Sequence, residues 1–156
     1  MKSVLTGLVL FSLVACTNNV VFKGDKEVGK YWHTDSLITF YFEILDTINT
    51  YDVNLNIRHT NSYSYQNLYI FIHTTNPLGV TTVDTLNCIL ADKTGRWKSQ
   101  GTGDVLKYST HIKKLARYES SGKYKVQIEQ AMRYGKLPQI EFLKDILSVG
   151  ICIRKN

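Results

Sequence analysis

The side chains of this sequence that could do chemistry are 13 acidic residues, four histidines and three cysteines. Nucleophilic hydrolases need a serine or cysteine beside a base, and zinc sites need ligands at fixed spacing. The sequence has no Gly-x-Ser-x-Gly turn and no His-Glu-x-x-His motif, and its histidines are isolated at His33, His59, His73 and His111. We therefore predict no catalytic residues, no metal site and no cofactor, and we expect the protein not to be an enzyme.

Two weaker catalytic signals can be named. Residues 24–30 have the spacing of a P-loop, but Tyr31 stands where a Ser or Thr should bind Mg²⁺. A glycosidase needs only two carboxylates at a suitable separation, and Asp84 with Asp104 is one pair that the sequence offers. The P-loop spacing is interpreted as chance, and a hydrolase is kept as a minor alternative.

Cys16 carries the clearest predicted chemistry, because it ends a segment with the features of a secretion signal. Lys2 supplies the positive start, an apolar run covers residues 4–14, and Leu13-Val14-Ala15-Cys16 resembles the bacterial lipobox. A membrane-spanning helix needs about 20 apolar residues, and this run is too short. We predict a lipoprotein signal peptide over residues 1–15 and lipidation of Cys16 after cleavage.

Acyl chains on Cys16 would hold a soluble domain at a membrane, since each buried methylene contributes about 0.8 kcal/mol. Residues 16–24 form the predicted lipidated tether. Thr17 stands where an Asp would resemble an inner-membrane retention signal, and residues 17–23 contain no acidic side chain. These features favour anchoring in the outer membrane, on its periplasmic face.

The positive charge of the chain is dispersed. Loss of Lys2 with the signal peptide lowers the formal net charge from +6 to +5, and the one local basic cluster is His111, Lys113, Lys114 and Arg117. Such a cluster usually forms a solvated face, and the alternative is contact with lipid phosphates or an acidic partner. Nucleic acid is not an expected partner outside the cytoplasm.

Alternation of apolar and polar residues indicates short β-strands. The pattern is clearest over residues 51–58, and further strands are predicted at 38–44, 67–74, 82–91, 123–130 and 146–154. The turn-like residues 46–50 predict that the strands at 38–44 and 51–58 pair as a hairpin. Residues 112–116 are predicted to form one or two helical turns, and Pro138 excludes a regular central strand over 137–144.

These elements predict an all-β protein, namely an antiparallel β-sandwich of the jelly-roll or immunoglobulin-like type in a single domain over residues 25–156. Ten tyrosines and six phenylalanines suit a core between two sheets. After lipidation only Cys88 and Cys152 remain as free thiols. The strand phases bury Cys88 and place Cys152 on the face opposite Ile151, so a disulfide is not expected, although an oxidising compartment would permit one.

Two connections carry aromatic residues that could recognise a partner. Tyr63 and Tyr65 lie between two predicted strands, and Trp97 is surrounded by glycines in residues 95–104. Aromatic side chains on loops are favoured contact residues, because they bury a large area. The alternative is that Trp97 folds back and caps one end of the sandwich, with the glycines permitting tight turns.

Three sites resemble the Asp-Ser/Thr-apolar sequences at which Bacteroidota attach O-linked glycans in the periplasm. They contain Ser36, Thr47 and Thr85, each preceded by an aspartate and followed by Leu or Ile. The alternative is structural, since Asp closes turns and a β-branched or apolar residue opens strands. We keep glycosylation of these hydroxyls as a hypothesis.

Over nearly the whole mature chain the sequence resembles the gliding-motility-associated lipoprotein GldH family of the Bacteroidota. The resemblance depends on the order and spacing of several segments: Cys16 in its lipobox, Arg58 with Tyr63-x-Tyr65-x-Asn67-Leu68, Asp84-Thr85-Leu86 with Leu90-Ala91, Gly95-x-Trp97 with Gly101-x-Gly103-Asp104, and residues 128–133 before Val149-Gly150. Ser99 departs from the pattern, because a further glycine is expected in the stretch after Trp97.

The resemblance implies a non-enzymatic accessory of gliding motility and type IX secretion that works with other envelope lipoproteins through protein–protein interaction. The family offers no catalytic residues to carry over. The alternative function is a carbohydrate-binding periplasmic lipoprotein, for which Tyr65 and Trp97 would have to be exposed. An open sheet edge is a second possible contact surface, because it can accept an added strand.

Overall fold

The computed structural model of the protein describes residues 19–136 and 138–156, so Cys16 and the predicted signal peptide lie outside the described residues. Within these ranges the prediction of an all-β protein is confirmed, and no helix has the length and apolar character needed to cross a membrane. The strands are β1 (Val20–Glu27), β2 (Trp32–His33), β3 (Ile38–Ile44), β4 (Tyr51–Thr60), β5 (Asn67–Thr75), β6 (Thr81–Ile89), β7 (Gln100–Thr102), β8 (Val105–Ala116), β9 (Gly122–Gln130), β10 (Phe142–Leu143) and β11 (Ile146–Lys155).

Two antiparallel sheets form a sandwich, as predicted. The larger sheet has the strand order β1-β11-β4-β8-β7, the smaller one has the order β3-β9-β5-β6, and β2 pairs with β10 in a separate ribbon. Buried and exposed residues alternate along β3 and β9, which places one face of each strand in the core. Phe22 of the larger sheet meets Phe40 of the smaller one with ring centroids 6.2 Å apart. The core therefore lies between the sheets.

The chain termini define one end of the sandwich. Val20 at the start of β1 pairs with Arg154 in β11, and the amide of Lys155 donates to the carbonyl of Asn19 at 2.8 Å. We call this the N-terminal end. β4 runs from this end to the far end, where His59 pairs with Ile146 at the start of β11.

Two predictions about the strands are wrong. The strands β3 and β4 do not form a hairpin, because β3 pairs with β9 and β4 pairs with β8 and β11 in the other sheet. Residues 112–116 are not helical, because β8 continues through them and Ala116 pairs with Tyr51. Both errors arise from local patterns that were overridden by pairing between distant segments.

The folded domain begins before residue 25. β1 pairs with β11 from Val20 onward, so the end of the predicted tether, residues 20–24, belongs to the sheet. The segment with P-loop spacing also enters this strand at Gly24, which is not the loop conformation that a phosphate needs. Only residues 17–19 separate the predicted lipid site, Cys16, from the first strand of the sandwich.

The two cysteines of the described residues are free and buried, and they belong to different sheets. Cys88 lies in β6 of the smaller sheet and Cys152 in β11 of the larger one. Burial raises the pKa of the Cys88 thiol to about 12, which keeps it protonated and unreactive at neutral pH.

Candidate functional site

The three aromatic residues that the sequence nominates for recognition lie together at the far end of the sandwich. Tyr63 and Tyr65 lie in the β4–β5 connection with ring centroids 5.6 Å apart, and Trp97 of the β6–β7 connection lies 6.5 Å from Tyr63. Segments that are more than 30 residues apart in sequence thus form one cluster.

Tyr63 is a core residue. Its side chain is 4% exposed, and its hydroxyl donates to the carbonyl of Asn67 at 3.0 Å. Burial raises the pKa of this hydroxyl far above its usual value of 10. The structure therefore corrects the prediction that Tyr63 contacts a partner, since a buried ring offers no contact surface.

Trp97 folds back onto the sandwich, which was the structural alternative for this residue. Its ring is partly buried against the core and lies 4.8 Å from the imidazole of His59. Trp97 forms an isolated β-bridge with Ala91, and the amide of Lys98 donates to the carbonyl of Leu90 at 2.8 Å. This backbone pairing turns the loop inward.

The turn before Trp97 is built around Asp92. One carboxylate oxygen accepts the amides of Thr94 at 2.9 Å and of Arg96 at 3.0 Å. The Thr94 hydroxyl and then the Arg96 amide lower the pKa of Asp92 to about 2. Gly95 has a φ of 84°, a conformation that other residues rarely adopt. The glycine therefore permits the turn that aims Trp97 at the core.

His59 connects this loop to the larger sheet. The imidazole is fully buried, its Nδ1 lies 3.0 Å from the carbonyl oxygen of Thr60, and its Nε2 lies 2.7 Å from the hydroxyl of Ser99. Because a carbonyl only accepts, Nδ1 carries the hydrogen and Nε2 accepts from Ser99. Burial lowers the pKa of His59, which favours this neutral form.

A histidine that accepts from a serine hydroxyl is half of the arrangement that activates serine nucleophiles. Here the position of the orienting carboxylate at Nδ1 is held by the backbone carbonyl of Thr60, and the imidazole is closed off beneath Trp97. This geometry suits a polar contact that fixes the loop. Ser99, the residue that departs from the family pattern, supplies that contact.

The exposed aromatic side chains of the far end are ones that sequence reasoning missed. Tyr31 is 37% exposed, Phe142 is 52% exposed and Tyr134 is 66% exposed. Tyr31 meets Phe142 at 6.2 Å, Tyr65 meets Tyr134 at 6.3 Å, and Tyr65 and Phe142 line the same hollow of about 180 Å³. We call Tyr31, Tyr65, Tyr134 and Phe142 the aromatic surface.

Two lysines border the aromatic surface. The ammonium groups of Lys30 and Lys144 lie 5.3 and 5.8 Å from the centre of the Tyr31 ring, within the range of cation–π attraction. No sequence pattern marked this surface, because Phe142 and Leu143 are both apolar and only the structure shows that one is exposed and the next is buried. Short strands such as β10 carry too few residues for their period to be recognised.

The three candidate glycosylation hydroxyls all lie on exposed residues. Ser36 precedes β3, Thr47 lies in the β3–β4 connection, and Thr85 lies on the edge strand β6. The aspartate before Thr47 accepts the amides of Ile48 at 2.9 Å and Asn49 at 3.1 Å, which is the turn-forming role of the structural alternative.

The two carboxylates that could form a glycosidase pair, Asp84 and Asp104, belong to elements of different sheets. Asp84 lies in β6, where its carboxylate binds the ammonium of Lys113 at 2.9 Å, and Asp104 lies in the turn between β7 and β8. Lys113 belongs to the basic cluster, whose other members are exposed. Among residues 19–136 and 138–156, no three His, Cys, Asp or Glu side chains are grouped to hold a metal ion.

Comparison with known proteins shows extensive similarity to lipoproteins. Residues 20–153 match the family described as GldH lipoprotein. The chain is 36% identical over 153 residues to the gliding motility lipoprotein GldH of Flavobacterium johnsoniae, covering 97% of this chain and 93% of the relative. It is 35% identical over 150 residues to a GldH homolog of Christiangramia forsetii, covering 96% of this chain and 91% of the relative.

Among solved structures, the infectious bursal disease virus VP2 subviral particle aligns with 85% of this chain and 30% of its own chain. The sequence identity is 14% and the TM-score is 0.34. Similarity at this level carries no argument about the protein.

Proposed function

The chain belongs to the GldH lipoprotein family, and from this premise we propose that it is a non-enzymatic accessory of gliding motility and type IX secretion. It acts by binding other envelope or secretion lipoproteins. Lipid on Cys16 anchors it in the outer membrane, on the periplasmic face. Its interaction site is the aromatic surface at the far end of the sandwich.

The main support for this interaction site is that large apolar rings are exposed at one end of a well-packed domain. Tyr134 and Phe142 are more than half exposed, although Trp32 and Leu143 of the same region are almost fully buried. Partner-binding sites are enriched in Tyr, Phe and Trp, and Lys30 and Lys144 would surround such a contact with polar groups.

The arrangement of the rings favours a protein partner over a carbohydrate. Tyr31 and Phe142 meet at 76°, and Tyr65 and Tyr134 meet at 58°. Sugar rings stack on flat aromatic faces. Rings that meet at steep angles form an uneven surface, which is better suited to contact with the side chains of a protein. Trp97, one of the two residues on which the carbohydrate alternative depends, packs against the core.

Site-specific photo-crosslinking in living cells tests this proposal. A photoreactive amino acid at position 134 or 142 should capture the same envelope proteins. One at position 41 should not, because Tyr41 is 58% exposed but lies in the middle of β3, outside the aromatic surface. Replacing Tyr134 and Phe142 by serine should reduce secretion of type IX substrates and, in a gliding strain, colony spreading.

If no specific envelope protein is captured and the double variant secretes and spreads normally, the interaction site is wrong. Binding of the purified protein to a glycan array, lost on the same double substitution, would favour the carbohydrate alternative.

A further inference from the structure

The N-terminal end of the sandwich exposes apolar side chains on three separate segments, namely the β3–β4 connection, the β5–β6 connection and the last residues of β8. Their exposed fractions are the largest among the Val, Leu and Ile side chains of the described residues: Ile48 86%, Leu45 79%, Leu78 76%, Leu115 66%, with Val80 at 58%. Single exposed apolar residues are normal on protein surfaces, but a group at one end marks a contact site. We call these five residues the apolar tip.

Hydrogen bonds and contacts place the β3–β4 connection, the β5–β6 connection and the end of β8 next to one another. Lys155, which pairs with Asn19, also binds the carboxylate of Asp46 at 2.6 Å in the connection that carries Leu45 and Ile48. Leu115 is reached through Asp52, which accepts its amide at 2.9 Å and also accepts the side chain of Asn156 at 3.3 Å.

The β5–β6 connection, which carries Leu78 and Val80, lies beside the β3–β4 connection through Gly122. Pro77 lies so close to Gly122 that an added Cβ would be 3.1 Å from its ring, and Gly122 pairs with Ile44 immediately before Leu45. Leu78 and Val80, which follow Pro77, therefore belong to the same end of the molecule.

The polar groups of these connections bond internally and leave the apolar side chains outward. Asp46 accepts the amide of Ile48 at 2.9 Å, and Asn76 accepts the amides of Leu78 at 3.0 Å and Val80 at 2.9 Å. The apolar side chains are thus presented by turns whose backbone is already satisfied.

Leu115 is held outward at a cost in backbone energy. Its φ is 50°, a conformation that a bulky residue rarely adopts. Backbone strain of this kind concentrates at functional positions. The bond from its amide to Asp52 stabilises the kink, and it is the first cause that lowers the pKa of Asp52.

The length of chain before the sandwich identifies a lipid surface as the occupant. Asn19 lies three residue steps after Cys16, and these steps span at most about 11 Å when fully extended. Each polar layer of a bilayer is about 5–8 Å thick. A lipid on Cys16 would therefore keep the apolar tip within reach of the hydrocarbon boundary.

The charges of the tip do not provide a second driving force. Around the tip, the basic side chains of Lys114, Arg117 and Lys155 are offset by the carboxylates of Asp46, Asp52 and Glu119. Apolar area should dominate the contact, with the interfacial depth of about 5–10 Å that apolar side chains reach.

We propose that the apolar tip inserts into the interface of the bilayer that holds the Cys16 lipid, so that the domain stands on the membrane with its aromatic surface directed away from it. This inference depends on the lipid anchor of the proposed function. The ten residues of β4 span roughly 30 Å between the two ends. The aromatic surface would then be presented at that height to partners.

Fluorescence quenching by brominated lipid tests the insertion. The full-length lipidated protein, carrying Ile48→Cys, Leu78→Cys or Leu115→Cys with an environment-sensitive label, is reconstituted in phosphatidylcholine vesicles. Tyr134→Cys is the matched control, because Tyr134 is 66% exposed like Leu115 but lies at the far end. Both native free thiols are buried, and wild-type protein labelled in parallel measures their background.

We expect loss of fluorescence in brominated vesicles for labels at positions 48, 78 and 115 and no loss at position 134. If the protein floats with the vesicles and no tip label is quenched, the insertion is wrong and the anchor stands. If the protein does not float, the anchor and the insertion both fail. Tip labels that are shielded only in native membranes would instead assign the tip to a protein partner and overturn the inference.

Discussion

Nε2 of His59 lies 2.7 Å from Oγ of Ser99, a residue 40 positions later in the chain. This bond fixes the Trp97 loop to the end of β4, and the ring of Trp97 helps to shield the imidazole from solvent. A neutral histidine is therefore part of the fold, which makes the far end of the sandwich sensitive to acid.

The free energy of unfolding should fall as the pH drops below about 6.5. Above that pH the imidazole of His59 is neutral in both states, but below it the unfolded chain takes up a proton that the folded protein resists, because burial lowers the folded pKa. Urea unfolding between pH 7.5 and 5 measures the slope, in a range well above the lowered pKa values of Asp46 and Asp92.

The His59→Gln variant should lose part of this pH slope, whatever its stability at pH 7.5. His111→Gln is the control, since His111 is exposed on β8 and its replacement leaves the His59 contacts intact. Equal slopes in wild type and His59→Gln would rule out the buried histidine as the source.

Tyr63→Phe should lower the free energy of unfolding by about 1 kcal/mol, the usual contribution of one hydrogen bond. The substitution keeps the buried ring and removes the bond from the hydroxyl to the Asn67 carbonyl. Tyr41→Phe is the surface control and should change stability by less than about 0.5 kcal/mol. Chemical denaturation compares the two, and identical midpoints would contradict the core assignment of Tyr63.

Gly150→Ala should loosen β1 from the larger sheet. A Cβ at this position would collide with the side chain of Asp25 and lie 2.7 Å from the carbonyl oxygen of Gly24. Overpacking of this kind costs about 1–3 kcal/mol. Hydrogen exchange of the β1 amides measures the loosening.

Ser148→Ala is the matched control for Gly150→Ala, two residues earlier in β11. The Ser148 hydroxyl is buried with no hydrogen-bond partner among the described residues, so its removal should be nearly neutral. Unchanged β1 exchange in the Gly150 variant would mean that the strand adjusts without loss.

The native protein should carry glycan mass on at least one of Ser36, Thr47 and Thr85, all of which are exposed. Intact mass spectrometry of the protein from its own organism measures it, and alanine at the three positions should remove it. A native mass equal to polypeptide plus lipid would reject the hypothesis.

Cys16→Ser should move the protein from the membrane fraction to the soluble periplasm without unfolding it. The first strand, β1, starts at Val20, four residues after Cys16, so we expect the sandwich to fold without the lipid. Fractionation with protease resistance as the folding measure tests this, and Thr17→Ser should stay with the membrane. A Cys16→Ser protein that still pellets would contradict lipid anchoring.

Local sequence pattern was sufficient for strands with one buried face. β4, β5 and β9 alternate clearly, and their predicted positions agree with the structure to within a residue or two. β1 was missed because it is an edge strand with few buried side chains on either face, and its regularity comes from pairing with β11. No strand was predicted over the first half of β8, and its second half was misinterpreted as helical because Lys113 and Lys114 break the alternation.

The sequence by itself determined the class of the fold, the candidate lipid site at Cys16 and the resemblance to the GldH family, because side-chain period and motif spacing are local properties. Only the tertiary structure decided that Tyr63 and Trp97 face inward, that Tyr134 and Phe142 face outward, and that the five residues of the apolar tip share the N-terminal end of the sandwich. Those outcomes depend on which strands pair although they are far apart in the sequence. The free energy of such pairing comes from contacts between distant residues, which a local sequence pattern does not show.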